Sequence, residues 1–137
     1  MTEVTLGPNV EIIGNSAFGG MSGITSIVIP ESVTSIGSSA FSNCRGLTSI
    51  IIPSKVTAIN DQTFHGCTAL TSVTIPSGVT TIGVQAFGVC SNLTSISIPD
   101  GVTSIGGGAF TNCSSLTSIT LPESVAELGS GAFSGCI

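Results

Sequence analysis

The most reactive side chains in this chain are its five cysteines, Cys44, Cys67, Cys90, Cys113 and Cys136, each 23 residues after the one before. Zinc sites take two cysteines a few residues apart from one loop, whereas this spacing supplies one thiol per repeat, so no metal site is expected. Repeats stacked about 4.8 Å apart would bring the cysteine α-carbons into disulfide range, but equivalent side chains in a parallel stack point the same way. Their β-carbons then also lie about 4.8 Å apart, beyond the usual disulfide spacing of about 3.5 to 4.5 Å. The expectation is a buried row of free thiols, each a small hydrophobe.

Acid–base chemistry has little to draw on. His65 is the only histidine, and Asp61 is its nearest carboxylate. The other acids, Glu3, Glu11, Glu31, Asp100, Glu123 and Glu127, are scattered. Three of them, Glu31, Asp100 and Glu123, share the slot after a proline and form a broken acidic column, which reads as a solvated edge. No catalytic residue and no cofactor are expected, because a general base needs an orienting partner and a concave site around it. Asn92-Leu-Thr94 and Asn112-Cys-Ser114 match the glycosylation sequon, with Asn112 expected to be the better exposed.

The same 23-residue step runs through Phe18, Phe41, Phe64, Phe87, Phe110 and Phe133, and through Pro30, Pro53, Pro76, Pro99 and Pro122. A fixed period in this range marks a solenoid, in which each unit buries its apolar face only against its neighbours. Six units cover the 137 residues as one repeat domain: 1–23, 24–46, 47–69, 70–92, 93–115 and 116–137. Neither end shows a recognisable cap. Within a unit, Ile50-Ile51-Ile52 before Pro53 reads as a short strand, with Ile50 and Ile52 inward and Ser49 and Ile51 outward. Stacked in parallel, these strands would make one long sheet. The Val-x-x-Ile step, as in Val102 to Ile105, suggests a second extended segment on another wall. The residue after it is Gly14, Gly37, Asn60, Gly83, Gly106 or Gly129, which suggests a turn with positive φ. The Ala-Phe pair then packs inward from an expected single turn of helix.

The pattern Leu-x-x-Ile-x-Ile-Pro-x-x-Val-x-x-Ile-Gly-x-x-Ala-Phe-x-x-Cys resembles the BspA-like leucine-rich repeat family of bacterial and protist surface proteins. Coils 2 to 6 carry it closely; in the first, Gly7 stands in the proline slot and Met21 in the cysteine slot. The resemblance implies a curved right-handed solenoid with the parallel sheet on its concave face. It also implies an extracellular or cell-surface setting, often in adhesins, and no catalytic site.

Composition agrees with a recognition surface better than with other functions. There are only two basic and seven acidic side chains, and the net charge is −5, so no basic footprint exists for nucleic acid. No apolar run reaches the roughly 18 residues of a membrane helix, and no signal-peptide pattern is present. Trp and Tyr are absent, which removes the usual stacking platforms for sugars and single-stranded bases. What remains is the outward face of the sheet. Ser26, Ser49, Ser72, Ser95 and Ser118 form one column, and Val28, Ile51, Thr74, Ser97 and Thr120 form a mixed column beside it. These ten are the candidate ligand contacts for a protein partner, and the mixed column is where specificity is expected. Thr34, Thr57, Thr80 and Thr103 line the other wall but lack the paired threonines of ice-binding solenoids. Two alternatives stay open: copies stacking head to tail through their terminal coils into a filament, and an intracellular scaffold.

Overall fold

The computed structural model describes all 137 residues. Its parallel pairings advance by one period at a time, as in Ile12↔Ser35, Ser49↔Ser72 and Thr81↔Ser104, so each unit lies directly on the one before. We number the resulting coils 1 to 6 and describe three walls around a single apolar interior.

The third wall, which carries the Ala-Phe pair, holds the stack together most completely. Three backbone N–H groups of each coil donate to the next coil: Phe41 to the carbonyl of Thr63 (2.9 Å), flanked by Ser39 to Asp61 (3.0 Å) and Asn43 to His65 (2.7 Å). The set repeats at every interface, ending with Gly108 to Ser130, Phe110 to Ala132 and Asn112 to Ser134. Backbone conformation is what aims these donors. Ser16, Ser39, Gln62, Gln85, Gly108 and Gly131 have positive φ, and so do Gly20, Asn43, Gly66, Val89, Asn112 and Gly135. These residues sit two before and two after each Phe, so left-handed and right-handed conformations interleave and turn alternate N–H groups along the stack. This corrects the expected helical turn. No helix forms, because a left-handed residue on either side of each Phe breaks the run of right-handed dihedrals that a helix needs. Successive hydrogen-bonded turns take its place, as in Ala40 N–H to Gly37 and Cys44 N–H to Phe41.

The second wall is built from the Val-x-x-Ile segments. Strands β1 (Ile12–Ile13) and β2 (Ser35–Ile36) pair in parallel. Strands β4 (Ala58–Ile59), β6 (Thr81–Ile82), β7 (Ser104–Ile105) and β8 (Glu127–Leu128) form a four-stranded parallel sheet. The glycine that follows these strands does not adopt positive φ, contrary to the sequence expectation. It is required by packing. A Cβ on Gly37 would lie 2.5 Å from the backbone N of Asn15, and one on Gly106 would lie 2.5 Å from that of Val84. The absence of a Cβ lets each glycine N–H reach the preceding coil, as in Gly83 to Ile59 (2.7 Å) and Gly106 to Ile82 (2.7 Å).

Coil 3 shows the effect of breaking this rule. Asn60 occupies the glycine slot, and β2 and β4 are not paired there. The Asn60 side-chain amide instead donates to the Ile36 carbonyl at 2.6 Å, taking the acceptor that a glycine N–H uses elsewhere. Thr63 replaces alanine in the same coil, and its buried hydroxyl donates to the Asn60 carbonyl at 2.7 Å. Both departures are therefore internally satisfied.

The first wall carries β3 (Ser49–Ile51) paired with β5 (Ser72–Thr74), and an isolated bridge between Thr5 and Val28. The strands are parallel as expected, but the ladder does not run the length of the stack. Coils 5 and 6 lack it over Ser95–Ile98 and Ser118–Leu121. The apolar anchor beneath them is weaker: Ile50 and Val73 are buried, whereas Ile96 and Ile119 are only half-buried. These segments are held by the prolines and leucines on either side of them and by the bonding of the other two walls.

Inside, the phenylalanines stack with ring centroids 5.3 to 5.6 Å apart and planes within 15° of parallel. Offset stacks of this kind add about 0.5 to 1.5 kcal/mol each beyond area burial. The cysteines lie beside them as free thiols. Each Sγ–H donates to a phenylalanine carbonyl of the preceding coil, from Cys44 to Phe18 (3.1 Å) through Cys136 to Phe110 (3.1 Å). In Phe41 that carbonyl also accepts the Cys44 N–H, so the thiol of Cys67 fills its second lone pair.

Candidate recognition surface

The inward–outward alternation of the first wall places every predicted contact on the surface. Ser26, Val28, Ser49, Ile51, Ser72, Thr74, Ser95, Ser97, Ser118 and Thr120 are all exposed, while Ile27, Ile50, Val73 and Ile98 beneath them are buried. Strand pairing brings Ser49 beside Ser72 and Ile51 beside Thr74. Pairing joins the columns between coils 1 and 2, through the Thr5–Val28 bridge, and between coils 3 and 4, through β3 and β5.

The mixed column changes character along the stack. Val28 is 83% exposed and Ile51 68%, with no side chain above them. Between them lies an open hollow of about 450 Å³ bounded by Ser26, Pro30, Glu31 and Ser49. On the other side of Val28 a smaller hollow of about 220 Å³ is bounded by Glu3, Thr5 and Leu6. Toward the other end, Ser95, Ser97, Ser118, Thr120 and Asp100 line a hollow of about 370 Å³. The wall is thus apolar in coils 2 and 3 and hydroxyl-rich in coils 5 and 6.

Five threonine hydroxyls tie neighbouring coils together. Thr48 and Thr71 donate their hydroxyls to the carbonyls of Thr25 and Thr48, and Thr34, Thr80 and Thr103 do the same to Glu11, Thr57 and Thr80. Each of these hydroxyls strengthens the link to the preceding coil. The serine column has no such role, which leaves its hydroxyls available to a ligand.

The remaining reactive groups are not assembled into a site. His65 is half-buried, and Asp61 directs Oδ1 to the backbone N–H of Val84 (2.8 Å) and not to the imidazole. Burial pushes every cysteine thiol up from its ordinary range, with repulsion from neighbouring thiolates adding to it in the middle coils; Cys67 and Cys113 are pushed to about 12. Such thiols are protonated donors, unsuited to nucleophilic attack or metal binding. Asn92 and Asn112 are both exposed. The Asn112 amide, however, rests over Gly135 of the next coil, as Asn43 rests over Gly66, so Asn92 is the freer of the two sequons.

Of the acids that border the wall, sequence reasoning read Glu31 as part of a solvated acidic edge and did not single out Glu3. Glu3 stands 23 residues before Ser26 and so heads the serine column, a position visible from the period alone. Glu31 reaches the next coil, where its Oε2 accepts the Ser54 hydroxyl at 2.8 Å and the Ser54 N–H at 3.2 Å. Ile12, Val84 and Leu128 on the opposite side are exposed apolar residues that the repeat pattern did not single out.

A family model for the BspA type leucine rich repeat region matches six copies over residues 1–96 and 80–137. Among solved structures, a leucine-rich repeat protein from Bacteroides ovatus is 43% identical with a TM-score of 0.92, over 97% of this chain and 37% of its own. One from Eubacterium ventriosum is 34% identical with a TM-score of 0.90, over 99% of this chain and 37% of its own. A leucine rich cell surface protein from Faecalibacterium prausnitzii is 34% identical with a TM-score of 0.71, over 97% of this chain and 43% of its own. The chain therefore spans well under half the length of these three proteins. No curated protein matches it.

Proposed function

This chain belongs to the BspA-type leucine-rich repeat family, and on that premise we propose that it is a non-enzymatic recognition module whose first wall binds a protein partner at a cell surface. One observation carries the reading. All ten outward residues of the first wall are solvent-exposed on a regular scaffold, and its mixed column carries two large exposed apolar side chains, Val28 and Ile51. Side chains such as Val28 and Ile51 offer a partner the apolar contact that centres an interface. The F. prausnitzii relative is called a cell surface protein, which supports the same setting here.

The test compares two double variants for capture of proteins from the surface of neighbouring cells. Val28→Asp with Ile51→Asp alters the first wall, and Thr81→Asp with Ser104→Asp alters the second. Loss of capture by the first pair alone is expected. Equal loss, or none, overturns the assignment to this wall. Antibody labelling of intact source cells before permeabilisation is expected to be positive, and labelling only afterwards would favour an intracellular scaffold.

A second reading rests on the coil edges. The N–H groups of Gly131, Phe133 and Gly135 occupy the donor positions of the third wall, and the carbonyls of Asn15, Ala17 and Gly19 occupy the matching acceptor positions. Further repeats or a second copy would satisfy both sets. Light scattering against concentration separates these: length-heterogeneous polymers support stacking of copies, and a monomer throughout rejects it.

A further inference from the structure

Coils 1 to 3 of the first wall combine three features around Val28, which at 83% is the most exposed large apolar side chain between the chain ends. The floor is apolar, with Val28 and Ile51 exposed over buried Ile27 and Ile50. Hollows of about 450 and 220 Å³ lie on either side of Val28 and together form a shallow groove across three coils. A carboxylate lines each hollow, Glu31 the larger and Glu3 the smaller. No cation lies among the lining residues of either hollow.

We propose that this groove docks an extended protein segment that places an aliphatic side chain over Val28 and Ile51 and a lysine or arginine toward Glu3 and Glu31. The inference rests on the recognition reading above and narrows it to one end of the wall and one partner chemistry. Charge complementarity selects this occupant. An identical acidic groove on a second copy would bring Glu3 and Glu31 against like charges, and an acidic partner would meet the same repulsion. A fully polar cationic segment would leave Val28 and Ile51 facing water and forgo the apolar burial that centres an interface. Glu31 is held in place by its two hydrogen bonds from Ser54, so its carboxylate is already positioned before a partner arrives. Fixing it costs no further side-chain entropy on binding.

The experiment uses the whole chain and three synthetic decapeptides: alternating Leu-Lys, alternating Leu-Glu and alternating Ser-Lys, each capped at both ends. Binding is followed by titration calorimetry and by amide chemical-shift mapping. Leu-Lys is expected to bind at least about tenfold more tightly than either control, with shifts confined to coils 1 to 3 of the first wall. Val28→Ser with Ile51→Ser is expected to remove that preference over Ser-Lys. Glu3→Gln with Glu31→Gln is expected to weaken Leu-Lys about threefold at low salt and to flatten its salt dependence. Both variants alter exposed side chains and keep the fold, which the spectra of the unbound forms check. Equal binding of Ser-Lys or Leu-Glu overturns the proposal, as does a concentration-dependent dimer that Ile51→Asp dissolves. Shifts confined to coils 4 to 6 of the same wall also overturn it while leaving the first-wall reading intact. Shifts only on other walls reject both.

Discussion

Gly106→Ala tests the claim that the second wall is held by glycine-enabled contact and not by turn conformation. The added Cβ would sit 2.5 Å from the Val84 backbone N and 2.6 Å from the Gly83 carbonyl carbon. Both are main-chain atoms, so no side chain can swing away, and coils 4 and 5 must separate locally. Overpacking of this kind costs about 1 to 3 kcal/mol. Separation also breaks the 2.7 Å bond from the Gly106 N–H to Ile82, worth about 1 kcal/mol net. Alanine recovers up to about 1 kcal/mol by restricting the unfolded chain. The expected net loss is about 1 to 3 kcal/mol. Gly14→Ala is the internal control, because nothing lies within 4 Å of its Cβ position; it should change stability by about 0.5 kcal/mol or less. Urea unfolding followed by far-ultraviolet circular dichroism measures both. The reasoning is refuted if Gly106→Ala is as stable as the parent, or if Gly14→Ala is destabilised as much. Asn60 shows that the chain tolerates a Cβ in this slot only by giving up the β2–β4 pairing and bridging the gap with its amide.

Val89 is β-branched yet has φ of 59°, where its counterparts in the other coils are glycine or asparagine. Val89→Gly should raise stability by about 0.5 to 1 kcal/mol, the left-handed penalty less the entropy of glycine, and a fall in the urea midpoint would contradict this. Phe87→Ala should cost about 3 to 5 kcal/mol, since Phe87 is fully buried between two stacked rings, whereas exposed Ser95→Ala should change little. The thiols set an alkaline limit. Folding holds Cys67 and Cys113 protonated up to about 12, whereas in the unfolded chain they ionise near 9.0. The folded state then binds more protons between those values, so stability should be fully present below pH 9 and decline as pH rises toward 12. Iodoacetamide at pH 8 should leave Cys67, Cys90 and Cys113 unmodified in the native protein and label all five thiols in urea, read by mass spectrometry.

The period alone determined the stack, the interior and the outward face. Residues repeating every 23 positions must become equivalent when coils stack, so Phe, Cys and the inward Ile form ladders and the alternate Ser and Val or Thr face out. That argument needs only burial and strand alternation, and all ten candidate contacts are exposed as it requires. Backbone direction was beyond its reach. Which residues take positive φ, and therefore which N–H groups point along the stack, depends on how adjacent coils meet; Ser39, Gln85 and Val89 carry no local signal for a left-handed conformation. Glycine was noticed for its freedom, but the neighbouring coil is what demands it, through a Cβ position filled by another backbone. The expected helical turn failed for the same reason, because the left-handed residues that aim alternate N–H groups at the next coil break the helical run. Charge placement was likewise tertiary. Glu3 and Glu31 are 28 residues apart in sequence, and only stacking sets them in adjoining hollows that share Val28.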